Sequence, residues 1–352
     1  MSDITQFDKN FKIDTDLGRS DIVWHDPARP PFSLYGVYFD GECYRRMPDE
    51  IAKNVNDGVR ELSKNTSGGR VCFATDSDIV AISYKRASLW KMSHMALTGS
   101  AGFDLYVRID GKEIYYGVFV PTQSSAGYDS ILKFPTKEKR EIIIRFPLYA
   151  GVTQLALGLC EGALLERWNG YKNERPIVFY GSSITQGACA STPGTDYASR
   201  VSRRFDTNYL NLGFSGSAKG EEAMMEYIAS LDMSCFVYDY DYNTPNAVYL
   251  EKTHYAGYRK VRNAQPDTPI IIMSAPNYDK LNSDMHKRRD VIAATYDRAV
   301  AEGDKNVYFV DGKKYFSAFN ADGCSVDGTH PNDLGFYRMA QAVIEQMENF
   351  WD

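Results

Sequence analysis

The stretch that most constrains the fold is Pro176 to Gly187, PIVFYGSSITQG, where a short apolar run stops at Gly-Ser-Ser. Ile177 to Tyr180 is β-branched and aromatic, which predicts a buried strand. Comparable runs return downstream as YLNLGF (209–214), CFVYDYD (235–241), PIIIMSAP (269–276) and NVYFVDG (306–312). Helical segments lie between them: Tyr197 to Arg204, GEEAMMEYIASL, Asn246 to Asn263 and Arg288 to Gly303, with LGFYRMAQAVIEQMENFW closing the chain. Strands joined by helices of this length predict a parallel sheet covered on both faces, a doubly wound α/β/α stack.

Upstream the pattern changes. Residues 1 to about 20 are polar and predict a loose lead-in or an edge strand. From Ile22 to about Leu159 short strands alternate with turn signals, without helical periods. In FDLYVRIDGKEIYYGVFV, Asp110-Gly111 sits between alternating apolar and polar residues, the mark of a β-hairpin. RVCFATDSDIVAISYK predicts two strands divided by Asp76-Ser77-Asp78, and EIIIRFPLYAGVTQLALGL two more. The sum is an antiparallel sandwich of jelly-roll type. A chain of 352 residues exceeds one ordinary core. The expected division is a sandwich over residues 1–161 and an α/β domain over 174–352, joined across the polar stretch GALLERWNGYKNERP. Tyr35, Tyr38, Tyr106, Tyr115, Tyr116 and Phe119 fit strand packing more simply than a sugar-binding platform, and the isolated His25 and His94 read as packed or surface histidines.

Charge and composition exclude several classes. A net charge of −6 argues against a nucleic-acid partner, and no apolar stretch approaches a membrane span. The polar start MSDITQFDKNFKIDTD lacks the apolar segment of a signal peptide, so a cytoplasmic location is expected. The six cysteines are scattered without zinc-ligand spacing and read as buried thiols. Neither a metal-ligand cluster, a phosphate loop nor a dinucleotide fingerprint is visible, so no metal or cofactor is expected. Cys189 follows Ser183 by six positions, but with no histidine beside it in sequence it is a weak candidate nucleophile.

The chemistry lies after the strands. The first is followed by Gly181-Ser182-Ser183, the second by FSGSAKG with its glycines, the third by Asp241-Tyr242-Asn243, and the last by SVDGTHPNDLG. Strand C-termini converge on one edge of such a sheet, so these stretches can share a cleft. Asp327 and His330 stand three residues apart in a loop shaped by Gly328 and Pro331. At that spacing the carboxylate can hold one imidazole nitrogen while the other faces a serine. The bland alternative is a surface loop whose aspartate caps a turn.

GSSITQG, NLGFSG, DYN and DGTHP, in this order and spacing, resemble the four blocks of the SGNH (GDSL-type) hydrolases. The match covers roughly residues 175 to 350, and the longer phrases DYDYN and HPNDLGFYRMA are similar to a bacterial branch with an N-terminal β-sandwich. The resemblance implies Ser183 as nucleophile, His330 as base and Asp327 as its orienting acid. It also implies an oxyanion hole of the Ser183 amide, the Gly216 amide and the Asn243 side chain. The sequence departs from the family at Ser182, where an aspartate is usual, so two serines compete. It departs again at Asp241, usually glycine, and at Thr244, usually aspartate. Asp241 either adds charge to the cleft or points away. Ser182, Asp241 and His254 are further pocket candidates, Asp239 is an alternative orienting acid, and His286 sits in a solvated basic run. The resulting expectation is a serine esterase removing short acyl groups, acetyl first, from a hydroxylated small molecule or oligosaccharide. A lipid, thioester or metabolite acyl hydrolase and an idle carbohydrate-binding protein are the alternatives.

Overall fold

The computed structural model describes residues 17–276, 283–316 and 321–351. Most of the polar lead-in lies outside the described residues. The apolar runs of the second half form five parallel strands, in the spatial order Thr207–Gly213, Asn173–Gly181, Cys235–Asp239, Ile270–Met273 and Val307–Val310. Because side chains alternate along a strand, each run supplies both faces. Val178, Tyr180, Phe236, Tyr238, Ile270 and Ile272 pack under the helices Glu222–Ser230, Ala247–Ala264 and Ser283–Ala301. Ile177, Phe179, Val237, Ile271 and Met273 pack under Tyr197–Phe205 and Asp333–Met347. Helices therefore cover both faces, as the alternation predicts.

Besides a two-stranded ribbon of Tyr38–Phe39 with Tyr44–Arg45, the described residues of the first half fold into two antiparallel sheets. One orders the strands Ile22–His25, Gln154–Cys160, Ile79–Lys85 and Gly127–Lys133. The other orders Leu165–Glu166, Arg70–Thr75, Arg140–Arg145, Phe103–Ile109 and Lys112–Phe119, with Ser33–Tyr35 also paired to Arg70–Thr75. Val71, Phe73, Ile82, Leu105, Ile142 and Leu157 meet between them in one core. The Asp110-Gly111 hairpin forms with Ile109 opposite Lys112, and both turn residues have positive φ, 50° and 75°, as a two-residue loop of this hand requires. Asp76 to Asp78 instead crosses from one sheet to the other, so its two flanking strands never pair. Ser77 makes that crossing: its Oγ accepts from the amides of Ile79 (3.3 Å) and Cys160 (2.9 Å).

Two features depart from the sequence reading. Asp49–Val55 and Asp57–Leu62 are helices, and Ala52, Val59 and Leu62 bury into the same core as Met224 and Ile228 of the second half. The junction is not merely polar either: Trp168 and Tyr171 are buried and stack edge-on at 4.8 Å.

At the C-terminal edge of the parallel sheet, Gly181 lies beside Gly213 on one side and Asp239 on the other. A methyl group on Gly213 would stand 2.2 Å from the Gln186 amide nitrogen, inside the turn that carries Ser183. Gly213→Ala should therefore lower stability by about 1–3 kcal/mol in denaturant unfolding. Gly151→Ala, whose methyl meets only the Lys64 carbonyl at 3.4 Å, should change it by less than about 0.5 kcal/mol.

Candidate active site

Ser183 opens a single helical turn, Ser183–Gln186, directly after the first parallel strand. Ser182 caps that turn, its Oγ accepting from the Ile184 amide at 3.2 Å. It is 1% exposed and so committed to backbone. The Ser183 amide is the first of the turn, one of the donors that a helix start leaves without an intrahelical acceptor. Gly187 ends the turn at φ 97°, and its amide returns to the carbonyls of Ser183 and Ile184.

Residues distant in sequence meet here. Ser183 Oγ lies 2.9 Å from His330 Nε2, and His330 Nδ1 lies 2.7 Å from Asp327 Oδ2. The other Asp327 oxygen accepts from the amides of Thr329 (2.9 Å) and His330 (2.8 Å). Partial burial works against the Asp327 charge, but those amides and the imidazole outweigh it and hold the carboxyl well below the usual carboxylate range. The loop itself is closed by Val326 N donating to the His330 carbonyl (2.9 Å) and by Asn332, which caps the last helix at the Leu334 and Gly335 amides.

Gly216 and Asn243 also come together, with an unexpected pairing. The Gly216 amide donates to Asn243 Oδ1 at 3.1 Å, while Asn243 Nδ2 donates to the Phe214 carbonyl at 2.8 Å. The Gly216 N–H thus faces Asn243 and reaches a new acceptor only by leaving it. Asn243 Nδ2 carries two hydrogens, and the Phe214 bond uses one of them.

Asp241, His254 and Asp239 stand apart from this group. Asp241 points away: it is 1% exposed, and its Oδ2 accepts from the Ala275 amide at 3.0 Å. His254 is shut off from solvent, at 1% exposure. It is buried between helices, stacked on Tyr238 at 4.7 Å and bonded to Thr295 Oγ1 at 2.8 Å, and burial pushes it down to about 3. Asp239 lies behind the serine turn, its Oδ2 accepting from Thr185 Oγ1 and the Tyr197 hydroxyl, each at 3.0 Å. Burial, with the neighbouring Asp241 charge, raises Asp239 to about 8 against those two hydrogen bonds. Cys189 sits near the group, but burial and the Asp327 charge push its thiol up to about 12, far from a free thiolate.

Sequence reasoning missed what the first half brings. His94 is exposed, as expected, but not isolated: its ring centroid is 5.7 Å from that of His330. The Tyr149 hydroxyl donates to the Ser183 carbonyl (3.2 Å), and Ser67 Oγ to the Gln186 carbonyl (2.7 Å). Buried Arg46 donates to the carbonyls of Asn211 (2.9 Å), Gly213 (2.7 Å) and Leu62 (2.7 Å). In Gly102-Phe103-Asp104-Leu105-Tyr106, Asp104 accepts from the Gly194 amide at 2.7 Å, tying the sandwich to the loop after the serine turn.

The model of the GDSL-like lipase/acylhydrolase family matches residues 174–348, and that of the N-terminus of SGNH-hydrolase-type esterases matches residues 22–165. The chain belongs to the SGNH (GDSL-type) hydrolase family. This SGNH hydrolase is similar over 93% of its length to 97% of a Bacteroides ovatus protein described as a GDSL-like lipase (27% identity, TM-score 0.85). It shares its fold with the salicylyl-acyltransferase SsfX3 of a tetracycline biosynthetic pathway (19% identity, TM-score 0.77, covering 94% and 98% of the two chains). It shares it also with a family two carbohydrate esterase from Clostridium thermocellum (15% identity, TM-score 0.63, covering 92% and 100%). No curated protein matches the sequence. No helix among the described residues is long and apolar enough to cross a membrane.

Asp239 has a measurable consequence. Its folded value of about 8 lies above the ordinary 3.8, so between these limits the folded state keeps a proton that the unfolded state has lost. Stability from this group is therefore lost as pH rises through that window, by up to about 1.4 kcal/mol per pH unit. Asp239→Asn should flatten the fall, seen as the difference between the two proteins' stability–pH curves from denaturant titrations.

Proposed function

We propose that this SGNH hydrolase is a serine esterase that removes short acyl groups, acetyl foremost, from a hydroxylated substrate. The observation that carries the reading is the continuous hydrogen-bonded line Ser183–His330–Asp327, built from a strand-end turn and a loop 147 positions later. A serine hydroxyl is a poor nucleophile alone and gains from a base that an acid holds in one tautomer. Ser183 Oγ attacks the ester carbonyl carbon while its proton passes to His330 Nε2. Asp327, kept ionised, holds the Nδ1 proton and balances the imidazolium. Negative charge developing on the carbonyl oxygen faces the Ser183 amide and Asn243 Nδ2, with Gly216 joining if it turns from Asn243 Oδ1. The C–O bond breaks, His330 returns the proton to the departing alcohol, and water activated by His330 then releases the acyl group from Ser183.

We infer a carbohydrate hydroxyl as the alcohol. The pairing of an antiparallel sandwich with this α/β domain is shared with the family two carbohydrate esterase, and the sandwich reaches the site through His94 and Tyr149. A binding protein on the same scaffold would have no use for a serine aligned on an imidazole.

Hydrolysis of p-nitrophenyl acetate tests the assignment. Ser183→Ala and His330→Ala should each lose about a thousandfold or more in kcat. Ser182→Ala should keep activity within about tenfold while losing about 1 kcal/mol of stability. Asn243→Ala should cost about a hundredfold or more. Undiminished turnover by Ser183→Ala ends the reading. Acetylated oligosaccharides should be deacetylated faster than esters of long acyl chains, and the reverse preference would move the substrate class to lipids.

A further inference from the structure

Beside the serine, three soft or borderline donors from separate segments converge: a nitrogen of His94, Cys189 Sγ and a nitrogen of His330, all within 4.8 Å of one another. Nothing in the proposed ester chemistry requires a thiol and a second imidazole there. Their placement is also built. Cys189 is held at φ 72°, left-handed backbone that a non-glycine residue rarely adopts. It is locked there by the Ala188 amide on the Ser183 carbonyl (2.9 Å) and the Ala190 amide on the Gly187 carbonyl (3.2 Å). The segment carrying His94 is fastened to the next residues of the same loop, with Thr98 Oγ1 donating to the Ser191 carbonyl at 2.6 Å. His330 Nδ1 is already taken by Asp327, which leaves Nε2 as its donor. A carboxylate behind a ligating histidine fixes the tautomer and raises its basicity.

We propose that His94, Cys189 and His330 bind a single zinc ion that reversibly inhibits the enzyme by occupying the nitrogen that Ser183 needs. Two imidazoles and a thiolate with an open fourth position match zinc's preference for nitrogen and sulfur in tetrahedral geometry. Bond lengths of about 2.0–2.3 Å place tetrahedral donors about 3.3–3.6 Å apart. The donors must therefore close by up to about 1.5 Å, and exposed His94 can contribute by side-chain rotation. On coordination the Cys189 thiol passes its proton to solvent, and the cation supplies the positive charge that its surroundings lack. The inhibition rests on the esterase reading, whereas the binding does not.

The test uses the full chain stripped with a chelator. Zinc chloride is titrated by calorimetry, and cobalt(II) chloride by absorption. One ion per chain is expected, with a near-ultraviolet thiolate-to-cobalt band and visible bands of tetrahedral intensity. Cys189→Ser should lose the thiolate band, and His94→Ala should weaken zinc binding at least tenfold. In both variants zinc inhibition of p-nitrophenyl acetate hydrolysis, read against each variant's own metal-free rate, should shift to correspondingly higher zinc. Ser183→Ala should still bind the ion, so a failed esterase reading leaves the site measurable. The proposal is overturned if zinc does not bind, if the cobalt spectrum shows no thiolate band, or if Cys189→Ser and His94→Ala bind zinc like the parent chain.

Discussion

The rim depends on how closely two stretches of backbone touch. Gly181 ends one strand with no room for a side chain, since an added methyl would meet Thr185 Oγ1 at 2.0 Å and the Asp239 carbonyl at 2.1 Å. Gly213 ends the neighbouring strand against the amide of Gln186. With both positions bare, the chain turns at once from strand to helix, and Ser183 is delivered at the helix start rather than a turn later. Asn211 reinforces the contact, its Nδ2 donating to the Thr185 carbonyl at 2.7 Å and its Oδ1 accepting from the Gly213 amide at 2.9 Å. The strand order places this turn where the sheet's winding reverses, the general position of ligand clefts in open α/β sheets.

A turn so short needs outside support, and the sandwich supplies it. Arg46 is a buried guanidinium whose described partners are carbonyl oxygens rather than a carboxylate, and burial lowers it to about 9. Its desolvation is offset by hydrogen bonds and by the Phe214 ring 4.6 Å away. Arg70 does similar work further along, donating to Asn208 Oδ1 at 2.6 Å and lying over Tyr209 at 4.0 Å. These cations hold the strand before Gly216 from the far side. The antiparallel half is thus part of the frame of the site, not a module hung beside it.

Much of this was legible because it rests on chain-local signals. Five apolar runs with helical segments between them specify the parallel sheet, and the spacing of Asp327 and His330 specifies their mutual bond. The helices of residues 49–62 escaped because their apolar positions (Ile51, Ala52, Val55, Val59, Leu62) are thin and bracketed by charge, and they are stabilised by a core belonging to the other half. The orientation of Asp241 could not be read either, since a polar residue just past a strand can face the cleft or turn beneath it. His94 gave no local signal at all. Its meaning comes only from the docking of residues 92–100 on the loop after the serine, where Gly99 fits against the Ala190 carbonyl with no space for a methyl (2.0 Å).

The carboxylates around the turn fall into two electrostatic classes. Asp239 and Asp241 are two residues apart at one strand end, both buried, and raised to about 8 and about 6. Burial opposes the charge on both, and at Asp239 the Asp241 charge adds to it, so both hold protons that exposed carboxyls would release. Asp327 is the reverse case, at the rim with amides turned toward it and its charge secured. On the proposed reaction this separation has a purpose. An ionised Asp239 behind Thr185 would set a negative field against the oxyanion forming at the Ser183 amide, whereas a neutral one leaves that amide's dipole unopposed. The acid that stabilises the imidazolium and the acid that must stay silent are thus distinguished by burial and by the amides and charges around them, with the same side chain in both roles.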